Sequence, residues 1–267
     1  MSTAFVSTMN KKLYDQYGKR FIDEFASFAS ESLKLFVVFE GEYPTEILNM
    51  KKNIIVVPFL SEKHRLFLKY FGKLYEANGL RLRQITENGQ KKLNISNDYH
   101  FNSVKFSFKP FSIHQVLNYI PRDLDFLIWT DADLRCKKKF DQNSLSEFLP
   151  NQEFLMTYLG RKKPWYSECG FLAFNLNHKD FKNYIERVID IYTSGEIFSL
   201  DQWHDSWIWD HVRYEFEETK NVNFKSISGK GYDFEHPFVN CGLEEFFDHL
   251  KGPTRKDQGK SFTDDYN

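Results

Sequence analysis

Two carboxylates one residue apart, Asp131 and Asp133, follow the apolar run from Phe126 to Trp129 and Thr130. Carboxylates at the end of a buried strand need a positive partner, because an isolated buried charge is strongly disfavoured. Paired hard oxygens suit a divalent cation, Mn²⁺ or Mg²⁺, above all where substrate phosphates complete its shell. Far downstream, the stretch DHLKGPTRK from Asp248 to Lys256 offers His249 as a nitrogen ligand, which favours Mn²⁺. Gly252 lets backbone approach a ligand closely, and Lys251, Arg255 and Lys256 carry the charge that phosphate oxygens attract. The pattern reads as a divided metal–diphosphate site with Asp131, Asp133 and His249 as ligands.

Three further carboxylates are candidates for proton or charge management at a reacting hydroxyl, in the order Asp205, Asp201, Glu168. Thr8, Met9 and Asn10 stand where the first strand ends, a position suited to a nucleotide base and ribose, or simply to capping the next helix. Lys105 and Lys109 lie on a helix before the carboxylate pair, where one of them would reach phosphates. Trp165, Trp203 and Trp207 offer stacking surfaces or core packing.

These residues must be positioned by an alternation of strands and helices. A strand is expected over 4–10, and strands covered on both faces over 33–41 and 53–59. Tyr14, Tyr17, Phe21, Phe25 and Phe28 recur at helical spacing and predict a helix from about 11 to 29. Further helices are expected from 61 to near Gly79, over about 103–118 in spite of Pro110, over 179–195 and over 200–216. More strands fall between 154 and 175, with GFLAFNLN the clearest. The order predicts an α/β fold with a mainly parallel sheet, whose ligands sit beyond the carboxyl ends of the strands. Asp131 and Asp133 lie at such an end. The tail after Asp248 reads as polar and short of apolar anchors.

The 267 residues contain no internal repeat, low-complexity tract or linker-like stretch, so one domain spanning 1–267 is expected. Lys and Arg total 36 against 37 Asp and Glu, a balance that gives no electrostatic case for a nucleic-acid partner. Cys136, Cys169 and Cys241 are widely spaced and odd in number, as expected of free thiols. The N-terminus lacks the features of a signal peptide and no run of about 18 apolar residues occurs, so the expectation is a soluble, cytoplasmic protein.

A strand ending in Asp-x-Asp, followed far downstream by His-x-x-Gly-x-x-Arg/Lys, resembles the GT-A-fold glycosyltransferases. The likeness is to the family of glycogenin and the lipopolysaccharide galactosyltransferases. ECGFLAFN (Glu168 to Asn175) is similar to that family's Gly…Asn segment, and Asp201-Gln202 is similar to its Asp-Gln pair beside the transferred sugar. The resemblance implies a Rossmann-like GT-A domain, a nucleoside diphosphate sugar donor (UDP foremost) and Mn²⁺ held by Asp131, Asp133 and His249. It also implies retention of configuration and a glycan, lipid or protein acceptor. Residues 1–140 would then form the nucleotide-binding half, 141–247 the acceptor side and 248–267 a basic lid. Glu168-Cys169 and Arg255-Lys256 depart from the family's usual residues at those places, and His204 to Ser206 form an HDS stretch that a divergent group would own.

Other chemistries use similar parts. A phosphohydrolase of the haloacid-dehalogenase type places Asp-x-Asp after a strand, but needs Thr or Val where Arg135 stands. A nucleotidyltransferase needs a Gly-rich basic loop near the N-terminus, which the sequence lacks. A non-catalytic carbohydrate-binding protein would use neither the metal nor the phosphate clamp.

Overall fold

The computed structural model describes residues 1–49, 52–87, 90–234 and 236–258. In chain order the strands are β1 (Thr3–Asn10), β2 (Lys34–Glu40), β3 (Ile54–Pro58), β4 (Leu80–Glu87), β5 (Gln90–Asn97), β6 (Phe126–Thr130) and β7 (Leu134–Cys136). They continue with β8 (Phe154–Leu159), β9 (Glu168–Asn175), β10 (Asn223–Ser226) and β11 (Phe247–His249). The helices are α1 (Lys11–Leu13), α2 (Lys19–Phe28), α3 (Glu62–Phe71), α4 (Ser103–Val116), α5 (Phe181–Thr193), α6 (Asp205–Lys220) and α7 (Pro253–Gln258).

A seven-stranded sheet runs in the order β10-β8-β9-β6-β1-β2-β3. The pairs β6–β1, β1–β2, β2–β3 and β8–β10 are parallel, and β9 is antiparallel to both β6 and β8. The central strands are apolar on both sides because both faces are covered, as parallel sheets require. Alternation along each strand divides the core in two. Val6, Val38, Leu127, Trp129 and Phe174 face α3, α4, α5 and α6, whereas Phe5, Val37, Ile128 and Phe171 face α2 and the chain after β6.

Four expectations are corrected in detail. The helix from 11 to 29 is broken by a π-helical turn over Tyr14–Gly18, where Gly18 closes against Met9: a Cβ there would lie 2.4 Å from Met9 Sδ. The helix expected to reach Gly79 stops at Phe71, capped by Gly72, and a short 3₁₀ turn, Glu76–Asn78, precedes Gly79 at φ +78°. The helix expected from 200 begins at Asp205, because His204 turns its ring back to accept from the Trp207 amide at its N-terminus. Finally, the segment after Asp248 is not short of anchors: Leu250 is fully buried, and β11 pairs antiparallel with β7.

The β4–β5 hairpin and β10 had no counterpart in the sequence reading. Alternating apolar residues on either side of Asn88-Gly89 are a hairpin signal that the sequence did carry; Asn88 and Gly89 themselves lie outside the described residues. Helix α4 includes Pro110 in its interior. Among the described residues, no helix is long and apolar enough to cross a membrane.

The β7–β11 ribbon docks through Phe247, whose ring meets Phe140 at 4.9 Å and Phe5 at 6.4 Å between centroids. Replacing Phe247 by Ala is expected to lower unfolding free energy by about 3–5 kcal/mol, the usual range for emptying a buried Phe site. Urea denaturation checks this, and a loss within experimental error of zero would show that the ribbon does not depend on that contact.

Candidate active site

Strand β6 ends in Thr130, and the chain then turns so that β7 can begin at Leu134. The turn is closed by the Asp131 carbonyl accepting from the Leu134 amide at 3.3 Å, while the Asp131 amide donates to Gly170 O in β9 at 3.2 Å. Asp131 and Asp133 are thus held at the carboxyl edge of the parallel strands. The Asp133 carbonyl accepts from the Leu250 amide at 3.2 Å, which extends the β7–β11 pairing and brings His249 beside both acids. His249 Nε2 lies 3.0 Å from Asp133 Oδ1 and 3.6 Å from Asp131 Oδ2.

One oxygen of each acid and one ring nitrogen of His249 lie within 4.8 Å of one another. Two carboxylates and an imidazole form a donor set that fits Mn²⁺ or Mg²⁺ with open positions left for other oxygens. The other ring nitrogen, Nδ1, is 3.7 Å from Glu168 Oε1. At that distance no hydrogen bond forms, so Glu168 faces the imidazole as a buried charge and Nδ1 has no hydrogen-bond partner among the described residues. The residues therefore fit the cation expected from the sequence.

Cations on the chain balance these acids. Burial pushes the Asp133 carboxyl up, but His249 and Lys256, whose Nζ lies 2.6 Å from Oδ2, outweigh it and hold it well below the usual carboxylate range. Lys109 is buried on α4, 2.9 Å from Asp131 Oδ1 and 2.5 Å from Asp205 Oδ2. Burial alone would lower its ammonium pKa, yet the two carboxylates raise it above the ordinary lysine value. Asp205 in turn stays below its ordinary value, since Lys109 overcomes the desolvation. Trp129, one strand position before Thr130, donates its indole N–H to Asp131 at 2.9 Å and underlies Lys109 at 5.2 Å.

Glu168 is buried behind His249. It pairs with Arg161 and with Lys251, whose Nζ is 2.8 Å away, and it accepts the Gly170 amide at 3.0 Å. Burial raises its carboxyl and these cations lower it further, so it is held ionised. Gly170 has a specific reason to be glycine: a Cβ there would lie 2.5 Å and 2.7 Å from two ring atoms of His249.

One cavity opens on the cluster, and a second is lined by none of its residues. The first, of about 560 Å³, includes Lys109, Asp131, Glu168, Asp205 and Lys251 in its wall and opens past Tyr99 and Trp165. The other, of about 780 Å³, lies beyond β1, β2 and β3, between Asn10, Glu40, Phe59, His64 and Phe108. Thr8 and Asn10 both donate to Glu40, at 3.2 Å and 3.4 Å, and Asn10 caps α1 through the Leu13 amide. Tyr17, on the π-helical turn, lies under Lys256 at 5.3 Å, so α7 also packs against the turn that follows β1.

The structure brings together Asp131, Asp133, His249, Lys109, Glu168, Asp205, Gln202, Lys251 and Lys256. Asp201 is exposed and outside the cavity wall, and Lys105 stays at the surface against Phe106. Gly252 is exposed with φ +81° and open space where a Cβ would point, and Arg255 is half-buried on α7. Trp203 is buried in the core, and Trp207 stacks on His211 rather than facing the cavity. Arg161, Glu40 and Tyr99 were missed. Glu40 carried the same signal as Asp131, an acid closing a buried strand; Arg161 carried none, because its partner is set by how β8 and β9 pair.

No protein-family model matches the chain, and no curated protein matches it. Among solved structures it is similar to the apo form of mouse xyloside xylosyltransferase 1, with 11% identity, a TM-score of 0.46 and 85% of each chain covered. It is also similar to apo GlyE, a glycosyltransferase of Streptococcus pneumoniae TIGR4, with 14% identity and a TM-score of 0.48; the match covers 90% of this chain but 51% of that one. A third is a glycosyltransferase involved in glycosylation of the major capsid of PBCV-1, with 11% identity, a TM-score of 0.47, and 97% of this chain and 100% of that one covered.

Two measurements test this geometry. Gly170→Ala must displace the His249 ring, and is expected to weaken Mn²⁺ binding at least about tenfold, near 1.4 kcal/mol; unchanged affinity by calorimetry would remove His249 from the ligand set. Independently, burial pushes the His64 imidazole from 6.5 down to about 4. The unfolded chain then binds a proton that the folded chain refuses. Stability present above pH 6.5 is lost as pH falls toward 4, and His64→Gln should flatten that slope in a urea series.

Proposed function

We propose that the chain is a metal-dependent glycosyltransferase, moving a sugar from a nucleoside diphosphate sugar, UDP-linked foremost, to an acceptor hydroxyl. The observation that carries this reading is the meeting of Asp131, Asp133 and His249, from segments far apart in sequence, within 4.8 Å beside a lysine-lined cavity. It rests equally on the order of motifs that resembles the GT-A glycosyltransferases. In this reading residues 1–140 hold the nucleotide, 141–247 the acceptor side, and the tail from 248 acts as a lid; residues 259–267 of that lid lie outside the described residues.

Asp131, Asp133 and His249 would hold Mn²⁺ or Mg²⁺, which supplies Lewis-acid charge to the diphosphate as it departs. The base and ribose would occupy the cavity beyond β1 to β3, near Thr8, Asn10 and Glu40. Lys251, Arg255 and Lys256 would turn toward the phosphates, where fixed positive charge stabilises the developing anion. Lys109 holds Asp131 and Asp205 in place. Asp205, kept ionised by Lys109, would face the positive charge that builds on the sugar ring as the bond from its anomeric carbon to the diphosphate oxygen breaks.

Asp205 and Glu168 are both held below the ordinary carboxylate range, which makes them weak bases. The resemblance to the glycogenin family implies retention of configuration, with the acceptor proton passing to the departing diphosphate oxygen on the same face of the sugar. Glu168 acts in this scheme as a positioning residue for His249 and Lys251, and Gln202 lies within reach of the sugar.

The test is a thermal-shift panel of UDP, GDP, CDP and ADP with and without Mn²⁺. A ligand at about 100 times its dissociation constant adds about 2.7 kcal/mol, or roughly 5–10 °C for a chain of this size. The shift should need both metal and nucleotide, and Asp133→Ala or His249→Ala should abolish it while circular dichroism stays unchanged. No metal-dependent shift with any of the four would sink the proposal.

A further inference from the structure

We infer that the acceptor is a saccharide, bound at the outer end of the 560 Å³ cavity with one sugar face against Trp165 and Tyr99. This rests on the glycosyltransferase reading and adds the acceptor class to it. The cavity has an inner and an outer end, distinguished by burial. Side-chain exposure is 10% for Lys109 and 13% for Asp205 at the inner end, where the donor sugar must lie to meet the diphosphate. At the mouth, whole-residue exposure is 51% for Trp165 and 59% for Tyr99, against 9% for Lys109.

Of the five tryptophans, Trp129, Trp203 and Trp209 are buried in the core, and Trp207 is half-buried against His211. Among the tryptophans Trp165 alone is more than half exposed, at 51%, and it stands in the wall of the cavity. Its loop is not loose. The Trp165 amide donates to Lys162 O at 3.1 Å, and the Lys162 amide donates to Tyr232 O at 3.0 Å, so the ring is carried on a tied platform.

The polar groups between the two ends are forked and pre-oriented. Gln202 donates to Tyr166 OH at 3.3 Å, and its Oε1 lies 2.8 Å from His204 Nε2, which fixes the carboxamide. Burial pushes the His204 imidazole down to about 4, so it stays neutral and donates or accepts without adding charge. A sugar presents apolar C–H faces and a belt of hydroxyls. The open Trp165 ring, and the face of Tyr99 turned away from the His100 ring that packs on it at 3.9 Å, beside a fixed carboxamide, a neutral imidazole and the Arg161 guanidinium match both parts. A peptide acceptor would instead call for main-chain partners along a strand edge, and the groups converging here are side chains.

The experiment holds the nucleoside diphosphate and Mn²⁺ at saturation and titrates methyl glucoside, methyl galactoside, methyl xyloside and N-acetylglucosamine. Saturation-transfer NMR and tryptophan fluorescence report binding. At least one saccharide should bind and perturb the fluorescence. Trp165→Ala should weaken it about tenfold, corresponding to roughly 1.4 kcal/mol, Trp165→Phe should recover most of that loss, and the nucleotide-dependent thermal shift should be unchanged in both. If the nucleotide shift is intact but no saccharide in the panel binds, the inference is overturned while the donor reading stands. It is equally overturned if Trp165→Ala binds saccharide as the wild type does, or if a Ser/Thr peptide or a long-chain alcohol competes for the site instead. Absence of the nucleotide shift in the wild type overturns the donor reading, and this inference with it.

Discussion

Four carboxylates, Asp131, Asp133, Glu168 and Asp205, crowd one edge of the central sheet, and they hold together only because cations stand among them. Two unit charges 4 Å apart interact by about 4 kcal/mol at the effective dielectric of a protein near its surface. Left uncompensated, the cluster would push the edge apart. Lys109 serves Asp131 and Asp205, Lys256 serves Asp133, and Arg161 and Lys251 serve Glu168. Each cation comes from a different place: α4, α7, the loop after β8 and the chain after β11. Charge balance therefore ties α4, the loop after β8 and the tail with α7 to one edge of the sheet.

The same arrangement makes the site adaptable. A lysine at a carboxylate is a weaker claim on that oxygen than a divalent ion bound by two acids and an imidazole, and it is mounted on a flexible stem. A cation entering between Asp131, Asp133 and His249 would release Lys256 for phosphate oxygens without leaving any acid uncompensated. Glu168 lies behind His249 with two cations of its own, Arg161 and Lys251. The close approach of β9 to that ring, possible only at Gly170, completes the support.

Much of this was legible along the chain. The apolar run into Asp131 and Asp133 announced acids at a strand end, and helical spacing of Phe21, Phe25 and Phe28 announced α2. Both are local patterns, in which the residues that decide the outcome lie within a turn or two. The break at Tyr14–Gly18, the early end of α3 and the late start of α6 were not legible, because each depends on a contact or cap, such as His204 folding back on its own helix. Glu40 closes a buried strand as Asp131 does and was legible by the same sign, whereas Arg161 and Tyr99 escaped for a related reason. A lone charged or aromatic residue has no periodicity to give it away.

By itself the sequence determined the residue types of the site and their order: two acids after a buried strand, a distant histidine, and a basic stretch around Gly252. Side-chain chemistry and strand periodicity are properties of short segments, so one strand of text contains them. Tertiary structure alone decided which of the candidate acids belong together. Asp205 was drawn to Lys109 and Asp131, Glu168 was set behind His249, and Asp201 was left in solvent, because β7 pairs with β11 and α4 packs beneath the strand ends. The β7–β11 pairing joins residues more than a hundred positions apart, the contacts of Lys109 with Asp205 and of Glu168 with His249 span 96 and 81, and only packing of the whole chain selects them.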